Sequence, residues 1–158
     1  MEKSIKKNIK TNSRRETQLA GAAFGVFLAK HSLSAPHAQV VALKGELGAG
    51  KTTFAQGVAK GLGVKEKILS PTFVIIKSYK IRNTKYKIQN LYHVDCYRIK
   101  NEQDLLALGW DKIVSDPQNL VLIEWPERIR KVLPKNTISI SFKTIKTSKP
   151  PARRITFS

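Results

Sequence analysis

The segment Gln39-Val-Val-Ala-Leu-Lys44 runs straight into Gly45-Glu-Leu-Gly-Ala-Gly-Lys-Thr-Thr53, and a helical stretch with Phe54, Val58 and Leu62 follows. No other feature constrains the fold as tightly. Gly45-x4-Gly50-Lys51-Thr52 satisfies the phosphate-binding P-loop pattern in full. The pattern has meaning only when an apolar strand delivers the loop and a helix receives it, and both flanks are present. The expected fold is therefore α/β: a single P-loop NTPase domain, with a mixed β-sheet flanked by helices.

Each residue type in the loop has a physical reason. Gly45, Gly48 and Gly50 permit backbone conformations and close approaches that a Cβ would block. The N–H groups of the loop, with Ala49 inside it, and the following helix N-terminus together attract phosphate oxygens. Lys51 supplies a point charge for the outer phosphates, and Thr52 offers a hydroxyl to Mg²⁺. ATP and Mg²⁺ are the expected ligands.

A P-loop needs a further carboxylate to hold or organise the metal. Asn119-Leu-Val-Leu-Ile-Glu124 is an apolar strand that delivers Glu124 at its C-terminal end, where open α/β sheets place ligands. Asp95 ends a second such run, Leu91-Tyr-His-Val-Asp95, and is a candidate for metal binding or for orienting water. Thr72 follows Pro71 in a loop between the first post-loop helix and the next strand, where nucleotide switches sense a γ-phosphate. Asp95, Glu124 and Thr72 are the candidate catalytic residues, and Thr52 and Glu124 the candidate metal ligands. His93 is read as a structural hydrogen-bonding residue.

The chain has 158 residues, and its spacing shows no repeat or linker that would divide it. Residues 1–12 are polar and basic and are expected to form a mobile extension, leaving 13–158 as the domain. Ser13-Arg-Arg-Glu16 has capping-box spacing and should open a helix. Strands are expected over 73–79, 86–95, 137–142 and 153–157, and helices over 102–108 and 126–132. Cys96 is the only cysteine, so no internal disulfide can form. No apolar run approaches the ~20 residues that span a bilayer. The N-terminus lacks the apolar core of a signal peptide, and the expected location is cytoplasmic.

The formal charge of +18 invites a nucleic-acid reading. Its distribution weakens that reading. Residues 60–100 carry +8 and 126–158 carry +8, whereas 101–125 carry −4. The acidic stretch holds Glu124. Five basic residues and no acid lie between Lys77 and Lys87. A nucleic-acid-binding module and a small-molecule phosphotransferase remain the alternatives. A GTPase is disfavoured, because no guanine-reading Asn-Lys-x-Asp segment is present.

Four motifs occur in order: Gly45 to Phe54, Ser70-Pro-Thr-Phe73, His93-Val-Asp-Cys-Tyr-Arg98 and Ile123-Glu-Trp-Pro-Glu127. In this combination the chain resembles the TsaE (YjeE) family, the bacterial P-loop ATPases of tRNA threonylcarbamoyladenosine biosynthesis. The resemblance covers about residues 13–135. It implies an ATPase that supports formation of the t6A modification at tRNA position 37, without transferring the threonylcarbamoyl group itself. The implied partner is the TsaB–TsaD complex, which ATP binding and hydrolysis would allow to turn over. Transfer RNA would be met indirectly or through the basic surface. The resemblance adds a phosphate contact from Thr53 and a functional role for Trp125 at the nucleotide. It also implies that Asp95 serves turnover and that Glu124 is the magnesium-associated acid. Glu46 and Cys96 depart from the family's usual Asp and Leu, and neither occupies a phosphate or metal role.

Overall fold

The computed structural model describes residues 7–32, 35–71 and 73–158. Their elements in chain order are β1 (Lys7–Thr11), α1 (Arg14–His31), β2 (Gln39–Lys44), α2 (Lys51–Gly61), β3 (Ile76–Lys80) and β4 (Asn90–Asp95). There follow α3 (Glu102–Leu106), α4 (Trp110–Ser115), β5 (Asn119–Glu124), a 3-10 segment (Pro126–Val132), β6 (Ile138–Ile145) and β7 (Ala152–Phe157).

The seven strands form one mixed sheet in the order β1-β7-β6-β2-β5-β4-β3. Its centre is parallel: β2 pairs with both β5 and β6, and β5 with β4. Antiparallel β3 closes one edge, and antiparallel β7 and β1 close the other. A parallel centre must be covered on both faces, which explains why β2 and β5 read as nearly continuous apolar runs. Alternation along β5 divides the core. Leu120 and Leu122 pack with Phe54 and Val58 of α2 and with Leu62 just beyond its end. Val121 and Ile123 pack with Leu105, Trp110 and Ile129 on the opposite face.

Ser13 caps α1, its side chain accepting the Glu16 N–H at 3.1 Å. Glu16 reaches back one residue further than a standard capping box, accepting the Asn12 N–H at 2.7 Å. The helices α1 and α2 meet almost backbone to backbone. A Cβ on Gly57 would strike the Gln18 carbonyl oxygen, and one on Gly21 would strike that of Phe54. This close seat fixes the N-terminus of α2, and with it the loop that precedes it.

Several expectations change. The basic extension expected over 1–12 falls partly on residues 1–6, outside the described residues. Residues 7–11 are not an extension. They form β1 because Ile9 and Thr11 turn inward while the alternate residues Asn8 and Lys10 are exposed, a period of two, and the strand pairs with β7. The strand expected from Phe73 begins only at Ile76; Ile75 has φ 63°, which breaks extended backbone there. Strand β4 starts at Asn90 rather than 86, after a connection anchored by buried Ile81 and Ile88. The helix expected over 102–108 stops at Leu106, and α4 follows after Gly109 at φ 85°. The segment 126–132 is a kinked 3-10 helix, with non-helical angles at Ile129.

Candidate phosphate-binding site

The C-terminal ends of three parallel strands, β2, β5 and β4, lie side by side. The register sets Glu124 opposite Leu43 on one side and opposite Asp95 on the other. Glu124 is therefore wedged between the strand that delivers the P-loop and the strand that delivers Asp95. Lys51, Asp95, Glu124 and His93 are all buried. A buried charged group must be paired or bonded, and the partners account for most of this cluster.

Glu124 Oε1 accepts the Thr52 hydroxyl at 2.8 Å and lies 2.9 Å from His93 Nε2. Burial by itself pushes the Glu124 carboxyl up. The His93 hydrogen bond and charge, the Thr52 hydroxyl and the Lys51 ammonium outweigh it and hold the carboxyl below its ordinary range. Asp95 accepts the Tyr97 N–H at 2.9 Å, and the Ser70 hydroxyl lies 3.4 Å from its other oxygen.

Lys51 Nζ donates to the Gly45 carbonyl, and to that of Glu46 at 3.0 Å. It also lies 4.3 Å from the centre of the Trp125 ring, a cation–π arrangement. Burial lowers its pKa, against the opposing pull of Glu124, Glu127 and Asp95. Trp125 adopts a left-handed backbone at φ 58°, ψ 50°. Such a conformation in a non-glycine residue is strained by about 1–3 kcal/mol and persists only where its surroundings hold it. Here it brings the indole to Lys51 and to Tyr97, whose ring centre is 5.1 Å away.

A cleft of about 480 Å³ opens over these residues. Gly48, Gly50, Lys51, Thr52 and Thr53 form its floor, with Asp95, Glu124 and Trp125 on one flank. Gly45 and Ala49 do not line it. Gly45 lies against Phe142, and the Ala49 N–H is spent on the Glu46 carbonyl at 3.1 Å. Thr72 lies outside the described residues. Sequence reasoning did not assign Arg14, Ser70, Tyr97 or Arg153, all of which line the cleft. Ser70 and Tyr97 sit within the quoted motifs, and that was their signal. Arg14 and Arg153 carry no local pattern, since only the tertiary fold brings both chain ends to the loop.

The donor set fits magnesium. The Thr52 hydroxyl and a Glu124 oxygen converge, and both are hard oxygen donors of the kind Mg²⁺ takes beside phosphates and water. Among the described residues, no group of three or more His, Cys, Asp or Glu side chains forms a self-sufficient metal cage.

Comparison with known proteins agrees with this fold. The family described as threonylcarbamoyl adenosine biosynthesis protein TsaE matches residues 11–155. The tRNA threonylcarbamoyladenosine biosynthesis protein TsaE of Treponema pallidum is 36% identical over 135 residues, covering 85% of this chain and 90% of the relative. The protein of the same name from Bacillus subtilis is 40% identical over 119 residues, 75% of this chain and 68% of the relative. The crystal structure of Bacillus subtilis YdiB superposes with a TM-score of 0.72 at 32% identity, over 96% of this chain and 84% of that one. With a match across nearly its whole length and relatives at this level of identity, the chain belongs to the TsaE family.

Proposed function

We propose that the chain is an ATP-binding and ATP-hydrolysing subunit required for tRNA threonylcarbamoyladenosine formation at position 37, and that it sustains turnover of a TsaB–TsaD complex. The observation that carries the reading is the junction at Glu124. One carboxylate oxygen meets Thr52, the last residue of the P-loop pattern, and His93, two residues before Asp95. That junction ties the phosphate loop to both acids.

In this reading the loop amides and Lys51 hold the phosphates. Lys51 exchanges its bonds to the Gly45 and Glu46 carbonyls for phosphate oxygens. Thr52 and Glu124 are the residues that would hold Mg²⁺, which when bound neutralises phosphate charge. His93 orients Glu124 from behind. Asp95, fixed by the Tyr97 N–H, is the carboxylate available to orient attacking water. Trp125 and Thr53 complete the nucleotide contacts.

Turnover by the isolated chain is expected to be slow. The cleft is open, and Leu47, an apolar residue at its rim, is 87% exposed. A protein partner that covers this rim would exclude water and complete the site. The exposed basic residues Lys77, Lys80, Arg82 and Lys85 lie at the far sheet edge, where they would offer at most a peripheral contact to tRNA. The reading is tested by capture of a purified TsaB–TsaD pair, with and without ATP·Mg²⁺. Nucleotide-dependent capture is expected. No capture in any nucleotide state would count against the proposal.

A further inference from the structure

The cleft has two chemically different flanks. Relative to β2, which delivers the loop, β5 and β4 lie on one side of the sheet and β6 and β7 on the other. Glu124 and Asp95 belong to the first side. Arg153 of β7 belongs to the second, and its side chain reaches the same cleft. There it packs directly on the phosphate loop. A Cβ on Gly50 would lie 2.8 Å from Arg153 Cδ and 2.9 Å from its Nε. The glycine that precedes Lys51 thus leaves room for an arginine as well as allowing the turn at φ 106°.

Among the described residues, no carboxylate pairs with this arginine. Its Nε is buried without a hydrogen-bond partner, and the only ion pair among the described residues joins His93 to Glu124. Arg14, the first residue of α1, lines the cleft too, held by Gln56 Oε1 at 3.0 Å. Two guanidinium groups without carboxylate partners among the described residues, at a loop built to take phosphate, form a site for an anion. A planar guanidinium matches phosphate oxygens through paired donors.

Position selects which phosphate. The metal-binding oxygens and Asp95 define the end of the cleft where the terminal phosphate reacts. Arg153 enters from the opposite side of β2, across the loop from that end. We propose that Arg153, assisted by Arg14, clamps the nucleoside-proximal phosphate of the bound nucleotide. The inference rests on the nucleotide-binding reading above and adds to it a contact shared by ATP and ADP.

The test is calorimetric titration of the full-length chain with ATP·Mg²⁺ and with ADP, for the wild type, Arg153→Gln, Arg153→Lys and Arg14→Gln. Loss of a charge-assisted hydrogen bond to a buried phosphate should weaken binding about tenfold or more. Arg153→Gln is expected to weaken both nucleotides by the same factor. Arg153→Lys should recover part of the loss, and Arg14→Gln should weaken both less. The melting temperature of the ligand-free variants should stay at the wild-type value, which a purely structural role would not allow. If the wild type binds and Arg153→Gln binds both nucleotides equally well, the clamp is overturned alone. A loss confined to ATP also overturns it, since that would mark a terminal-phosphate contact. A wild type that binds neither nucleotide overturns the underlying reading and the clamp together.

Discussion

Glu124 illustrates how one residue can be held by several neighbours at once. Its carboxyl is kept below the ordinary range by His93, Thr52 and Lys51, in spite of burial. A depressed carboxyl stabilises the fold fully above its unfolded value near 4.5, and that contribution is lost as pH falls through the lower folded value. Glu124→Gln should therefore flatten the loss of thermal stability on acidification below about pH 4.5, as read by melting curves across pH. Glu124→Ala should also cost about 1–3 kcal/mol at neutral pH, because buried His93 and Thr52 groups lose their shared acceptor; denaturant titration measures it. Cys96 behaves in the opposite way. Burial first, then Asp95 and Glu127, pushes its thiol up to about 12. The folded chain should resist thiol alkylation at pH 8, and the unfolded chain should react fully, as mass spectrometry would read. At this scale the acids were legible, because each ends an apolar run. The arginines were not, because nothing beside Arg14 or Arg153 in the chain foretells the loop they reach.

Among the elements, β2, α2 and β5 were readable because local pattern and tertiary role agree in them. Each apolar run is buried in the parallel centre, and the P-loop fixes the join between β2 and α2. The misreadings occur where a residue's partner is distant. Strand β1 holds one isoleucine among polar residues, and its partner β7 lies at the other end of the chain. The glycines of α1 and α2 look like weak helix formers, yet they create the tightest contact between the two helices. Gly57→Ala should destabilise the fold by about 1–3 kcal/mol or more through overpacking against Gln18, despite alanine's better helix propensity. Chemical denaturation decides this, and an unchanged midpoint would contradict the close packing.

Over the whole molecule, charge and chemistry separate. The +18 charge is large, but the exposed lysines of the β3 edge stand apart from the strand that delivers the loop, with β4 and β5 between. The chemistry gathers where three parallel strands end. No helix among the described residues is long and apolar enough to cross a membrane. The fold class was legible from the loop and its two flanking runs. The strand order was not, because the crossovers that seat β5 between β2 and β4 leave no local trace. That order produces the site, since it alone puts Glu124 beside both Thr52 and Asp95. The most direct test of this account is equilibrium titration of ATP·Mg²⁺ into the wild type and Lys51→Ala. The account predicts saturable one-to-one binding by the wild type and at least a tenfold loss in the variant. Equal affinity in the two proteins, or no binding by the folded wild type, would contradict it.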